Sequence, residues 1–166
     1  MLLTACSGTE VASDYDKHVD FSSYKTFSVC LLDLEVENKD KLVYDNPVNR
    51  VVVKQAIETE MKKRYSLNDT AADLLAGFHI AIKDNKFTYL NCRGGDNYRT
   101  WPECKLDTRE YTEGTLIVYV TDLKKDQVIW QASASGVLDD ALVKDEKLIR
   151  KTINRLFDEF PLKAKE

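Results

Sequence analysis

The sequence predicts an α+β two-layer sandwich in the order β-α-β-β-β-α, with one mixed sheet of about four strands and two helices on one face. Three observations carry this. Two segments, near residues 47–65 and 143–160, each show one apolar stripe at helical spacing. Four other segments alternate apolar and polar residues or run apolar between turn signals. The length of 166 residues suffices for one core and leaves little for a second.

The elements follow in order. Residues 13–18 are polar, and Phe21-Ser22-Ser23-Tyr24-Lys25-Thr26-Phe27-Ser28-Val29-Cys30-Leu31 alternates as a first strand. A polar stretch to Asn46 reads as a loop. Asn46-Pro47 is a helix start, with Asn as N-cap and Pro where a missing donor does no harm. That helix runs to about Tyr65, stacking Val53, Ile57 and Met61, with Lys54, Glu58, Lys62 and Lys63 facing water. Asp73 to Leu90 is a second strand, with Lys83-Asp84-Asn85-Lys86 as a turn or bulge. Thr115 to Asp122 and Val128 to Leu138 form a hairpin about the polar turn at residues 123–127. The last helix, 143–160, carries Leu148, Ile149, Ile153, Leu156, Phe157 and Phe160 on its stripe, and Pro161 stops it. No internal repeat or low-complexity tract interrupts the domain, which is expected to span residues 13–166 after a short leader and tether at 1–12.

Composition narrows the function classes. The chain is 43% hydrophobic and 31% charged, with 24 basic against 28 acidic residues and a net charge of -4. A nucleic-acid binder needs a clustered basic surface, so none is expected here. No run approaches the roughly 18 to 20 apolar residues of a membrane span.

The amino end carries a different signal. Leu3-Thr4-Ala5-Cys6 has the form of a lipobox: an aliphatic and two small residues before a cysteine that receives a diacylglyceryl group. A complete signal peptide has about 15 to 30 residues, and five precede Cys6, so residues 1–12 are expected to be the remnant of a longer leader plus a tether. The expectation is a lipid anchor on Cys6 and a periplasm-facing protein of the cell envelope, at the outer membrane.

Cysteine usage points to the same compartment. Cys92 and Cys104 bracket a loop containing Gly94-Gly95, Asn97 and Pro102, which can close on itself. A disulfide there stabilises by about 3 kcal/mol through the unfolded ensemble in an oxidising compartment. Zinc is the alternative, but the chain has no C-x-x-C pair and only two histidines, so no metal is expected. Cys30, in an apolar strand, reads as a buried thiol. Arg93, Tyr98, Arg99 and Trp101 on the bracketed loop form a candidate recognition surface, since arginine and aromatic residues dominate binding hot spots; packing within the loop is the competing reading.

Several segments together resemble a known family. They are Asp14-Tyr15-Asp16, Asp20-Phe21-Ser22-Ser23-Tyr24-Lys25-Thr26-Phe27, Asn46-Pro47, Ala56-Ile57-Glu58-Thr59-Glu60-Met61 and Asp73-Leu74-Leu75. Tyr111-Thr112-Glu113-Gly114-Thr115-Leu116, the stretch Val128 to Gly136, and Phe160-Pro161 follow. In that order they resemble the bacterial lipoprotein family called domain of unknown function 4136. The resemblance implies an envelope lipoprotein of this element order with no established reaction. Two departures stand out: Lys63-Arg64-Tyr65 occupies the place of a usual glycine, and the cysteine-bracketed loop looks like an insertion.

The search for catalytic groups returns mostly absences. Arg93-Gly94-Gly95-Asp96 lacks the lysine and helix of a phosphate loop, and neither H-E-x-x-H nor G-x-S-x-G occurs. His79, between Phe78 and Ile80, is either a hydrogen-bonded structural histidine or a base. His18 reads as solvated. Asp14, Asp16 and Asp20 either terminate the strand entry or form a carboxylate cluster, though without the glycine and glutamate of a calcium loop. Trp130 alternates with Val128 and Ala132 and reads as core.

The expected function is a non-catalytic interaction module that binds an envelope protein or polymer, without a cofactor. The alternatives are a carrier of a small apolar or lipid ligand, which needs a cavity of several hundred Å³, and a hydrolase using His79.

Overall fold

In the computed structural model the described residues are 10–93, 103–138 and 145–163. The expectations for Cys6, Tyr98, Arg99 and Trp101 lie outside them.

Alternation sets the inward face of the sheet. Leu74, Ala76 and Phe78 oppose Asp122, Val120 and Val118, which in turn stand beside Trp130 and Ala132. All are almost completely buried, with Asp122 the polar member of the set. Both helices, α1 (Pro47–Lys62) and α2 (Glu146–Asp158), pack on this face and against each other. The two-layer arrangement and both helices are therefore as the apolar stripes indicate.

The sheet has six strands rather than four: β1 (Glu10–Tyr15), β2 (Thr26–Val29), β3 (Ser66–Leu67), β4 (Leu74–Arg93), β5 (Glu103–Asp122) and β6 (Gln127–Leu138). Their order is β1-β6-β5-β4-β2-β3, with β2 parallel to β3 and β4 and the remaining pairs antiparallel. The additional strands have physical reasons to escape a periodicity argument. β1 is an edge strand whose side chains are nearly all exposed, so no apolar alternation marks it. It begins at Glu10 and crosses the boundary expected between tether and domain. β3 has two residues. Lys83-Asp84-Asn85-Lys86, expected to turn or bulge, stays in continuous register with Glu110-Tyr111-Thr112-Glu113.

α1 starts as its sequence dictates, with the Asn46 side chain accepting from the Asn49 backbone N–H at 2.9 Å and Pro47 in the first turn. Val53, Ile57 and Met61 are buried. α2 begins at Glu146, capped by Asp145 accepting from Lys147 N–H, and buries Ile153, Leu156 and Phe157 against Trp130 and Phe160. Each fully buried side chain of this size contributes about 1.5–3 kcal/mol over an exposed one. Arg64 ties the two helix ends together: it donates to the carbonyls of Glu60, Phe157 and Leu162 and stacks over Phe157 and Phe160. Lys63-Arg64-Tyr65, noted as a departure, is thus a clamp.

A bulge explains one surprise in β6. Thr121 pairs with Val128 and Val120 with Trp130, leaving Ile129 as the extra residue. Ile129 and Trp130 are both buried, while Val128 is half exposed. The expected alternation of Trp130 with Ala132 holds, and that with Val128 does not.

Candidate functional site

Two regions outside the core concentrate polar and recognition chemistry. The first is the segment from Cys30 to Asp45, where Cys30 and Leu31 were expected to end a strand and the rest to be a loop; β2 ends at Val29, and the segment contains a short 3-10 turn at Leu32–Leu34. It covers the edge of β4 where β2 ends. Asp33 Oδ2 accepts from the Phe78 N–H at 2.8 Å, and Asn38 Nδ2 donates to the Ile80 carbonyl at 2.8 Å. Side chains there supply the bonds that a neighbouring strand would otherwise make.

A buried arginine holds this segment down. Arg50, on α1, is fully buried and forks onto Asp45, also fully buried. It also donates to the Asp33 carbonyl at 2.7 Å and lies over the Phe78 ring. Burial pushes the Asp45 carboxyl up, but the bonds from Arg50 and Asn38 outweigh it and hold it below the usual carboxylate range. Tyr119 reaches across the sheet to donate to Asp33 Oδ2 at 2.9 Å. Its ring and Asp33 occupy the space a side chain at Gly77 would need, so glycine is required there. Burial and the neighbouring Asp33 carboxylate raise the phenol well above its ordinary pKa.

His79 stands half exposed on the open face, with Nδ1 2.7 Å from Glu37 Oε2; Glu37 in turn lies 3.6 Å from Arg50. Among the described residues no hydroxyl or thiol is hydrogen-bonded to His79, so a nucleophile–base pair is not assembled in this geometry. Cys30 is half buried rather than enclosed, its N–H donating to the Ala76 carbonyl. The other acidic candidates serve local turns. Asp14 accepts from Tyr15 N–H, Asp16 from His18 N–H and its ring, and Asp20 caps the turn at Phe21–Ser23. His18 is exposed.

The second region is a ribbon. β6 accompanies β5 from Thr112 to Asp122, and β2 accompanies β4 only as far as Ala76. From Asn85↔Tyr111 to Arg93↔Glu103, β4 and β5 pair with no third strand among the described residues. These nine pairs extend about 30 Å at the usual strand rise.

Cross-strand contacts line both faces. One face carries Lys86–Glu110 at 2.5 Å, Thr88 beside Thr108, and Leu90 opposite Leu106. The other carries Phe87 against Tyr89 and Tyr111, Arg109 over Tyr89, and Asn91 donating to Asp107. Leu90 and Leu106 are 65% and 74% exposed, and Phe87 45%.

Cys92 and Cys104 are directly opposed in register and joined by a disulfide, their Cα atoms 4.0 Å apart. An isolated two-stranded hairpin is marginal in water, and this link offsets the missing third strand. Of the expected recognition residues, Arg93 is the last residue of β4; Tyr98, Arg99 and Trp101 belong to the undescribed stretch beyond the link. The ribbon's Phe87, Leu90 and Leu106 escaped the sequence reading. Leu90 and Leu106 were detectable only by assuming the Cys92–Cys104 link and counting back in register.

The fold and its site define an α+β protein with one six-stranded mixed sheet, two helices on a single face, and a stapled ribbon reaching beyond both layers. A profile of the family described as Domain of unknown function (DUF4136) matches residues 11–162, and the chain belongs to that family. No match is found among curated proteins. Among solved structures it is similar to a PDZ domain protein from Parabacteroides distasonis, with 18% identity and a TM-score of 0.58 over 93% of this chain. The match spans 36% of that longer protein. It is also similar to a DUF4136 family protein from Bacteroides thetaiotaomicron, with 17% identity and a TM-score of 0.54, covering 92% of this chain and 96% of that one. A PelC dodecamer from Paraburkholderia phytofirmans matches with 8% identity and a TM-score of 0.50, over 96% of this chain and all of that one. At these identities the likeness is one of fold.

Proposed function

We propose that this DUF4136 chain is a lipid-anchored, periplasm-facing protein of the cell envelope that works as a non-catalytic interaction module, with the stapled ribbon as its contact surface. The observation that carries the reading is the ribbon itself: a two-stranded projection with exposed apolar and aromatic residues, held by a disulfide. A disulfide persists in oxidising compartments such as the periplasm, which supports the envelope placement. Leu3-Thr4-Ala5-Cys6 supplies the anchor in this reading. PelC, of similar fold, is a dodecamer, so this type of domain can serve as a building block among protein neighbours.

The test uses the full-length gene in its host. Cys6→Ala is expected to abolish membrane partitioning and the acyl mass on the amino-terminal peptide. Leu90→Ser with Leu106→Ser is expected to leave anchoring intact and remove partners crosslinked in intact envelopes. Acyl-free wild-type protein would overturn the anchor, and unchanged crosslinks would overturn the ribbon as contact surface.

A further inference from the structure

The described residues expose large apolar side chains in three places, of which Tyr15, Leu123 and Val128 near the β5–β6 turn are the least exposed group. Another is the ribbon, with the opposed pair Leu90 and Leu106. The third surrounds the β2–β3 edge and the start of α1, where Leu31 and Leu32 are 67% and 75% exposed and Val48 is 72% exposed. Beside it lies a cleft of about 250 Å³ between that edge and α1. Val29, Leu31 and Leu67 form its apolar part, and Lys54, Glu58 and Asp69 its polar rim.

The same edge is open at its end: the Phe27 carbonyl still accepts from the Asn68 N–H, and β2 runs on only to Val29. β3 pairs with β2 only at Thr26 and Phe27, so no strand stands beside Val29 on that side among the described residues. An unpaired edge next to an apolar cleft is the arrangement that accepts an added strand. The ribbon offers what fits: a strand edge with no further strand partner among the described residues, and leucines toward its far end.

Within one chain the ribbon and this edge cannot meet. β2 pairs with the beginning of β4, at Leu74 to Ala76, whereas the ribbon leaves the sheet at Asn85 and extends away from it. Charge favours their meeting between chains. Residues 31–51 hold five carboxylates against three cations, and the described ribbon residues, 85–93 and 103–111, hold four cations against three carboxylates. Area restricts the geometry further. A ribbon about 30 Å long and 10 Å wide presents roughly 300 Å² per face, whereas stable interfaces take about 800 Å² from each partner. The cleft takes in only the leucine end of the ribbon, so exposed Leu32 and Val48 beside it must supply further contact.

We propose that the ribbon of one copy docks on the β2–β3 edge of a second copy, seating Leu90 and Leu106 against Val29, Leu31 and Leu67. This rests on the reading of the ribbon as a contact surface and names its partner as the same chain. The two halves of the contact differ, so the association is head-to-tail, and every copy offers one ribbon and one cleft.

Sedimentation velocity on the purified, oxidised full chain tests this. Wild-type protein is expected to exceed the single-chain mass as concentration rises. Leu90→Glu with Leu106→Glu should remain single at every concentration, and so should Leu31→Glu with Leu67→Glu. Mixing these two variants should restore a two-chain complex and nothing larger, because each retains one intact half. Circular dichroism verifies that both variants are folded, and Leu→Ser versions replace any that are not. A wild-type chain that stays single, a ribbon variant that still assembles, or a mixture that stays single overturns the proposal. If the wild-type chain stays single while the ribbon variant still loses its crosslinked envelope partners, self-association fails and the contact-surface reading stands.

Discussion

The same two strands, β4 and β5, pass through two environments. Between Leu74 and Phe78 on one strand, and Val118 and Val120 on the other, inward side chains are at most 2% exposed beneath the two helices. Nine pairs of the same ladder then continue beyond the body, where the corresponding face carries Lys86–Glu110, Thr88–Thr108 and Leu90–Leu106. Hydrogen bonding along the backbone is the same in kind. What differs is burial, and with it the source of stability. The body is held by apolar area and a buried ion pair, the ribbon by cross-strand contacts and one covalent link. A ladder alone thus does not fix the extent of the core: the buried face ends where the helices do.

The sharpest way to break this contrast is Arg50→Ala. It leaves Asp45 buried without its cation and the Cys30–Asp45 segment without its anchor. The expected loss is about 3–5 kcal/mol of unfolding free energy by urea titration. A loss below about 1 kcal/mol would mean that the edge segment, not the ion pair, holds this side of the body.

Reducing the ribbon's disulfide, or replacing Cys92 and Cys104 with Ser, should remove about 3 kcal/mol of stabilisation. The contrast predicts where. Amide hydrogen exchange should accelerate in residues 85–93 and 103–111 and remain slow in 74–80 and 116–122. Equal acceleration in both stretches would show that ribbon and body unfold as one.

The smallest expected effect is on pH dependence, and it too belongs to the body. Tyr24 donates to Asp122 at 2.7 Å; burial and that carboxylate push its phenol up to about 12, against about 10 in an unfolded chain. The folded state keeps a proton that the unfolded state releases. The stabilisation is therefore complete below pH of about 10 and lost as pH rises to about 12. Asp45 has the opposite sign: its lowered pKa gives stability present above the unfolded carboxylate value and lost as pH falls through the folded one. Thermal melts across alkaline pH should flatten in Tyr24→Phe. An unchanged slope would remove Tyr24 as the cause.

What could be read from the sequence follows the same division. The helices announced themselves because each buries one stripe, and Asn46, Pro47 and Pro161 punctuate them. β4 was legible as far as Leu90, but β1 and the ribbon end of β5 were not, because a strand exposed on both faces has no reason to alternate. Arg50 and Asp45 sit five residues apart across a helix start and resemble any other surface charges; nothing local shows that they are buried together. The disulfide was legible from spacing and turn residues, but the length of the ribbon it closes was not.

The position of β1 has a mechanical consequence. Within the sheet its described residues pair with β6, antiparallel and in register over six pairs from Glu10↔Ser135 to Tyr15↔Trp130, while Val11 and Tyr15 also touch the core and Phe21. If Cys6 carries the anchor proposed above, tension along the tether enters at Glu10 and runs parallel to the strand. All six pairs then bear the load together in shear, instead of opening singly as in a zipper. Under such a pull the lifetime of the fold would be set by the rupture rate of this one ladder rather than by its equilibrium stability.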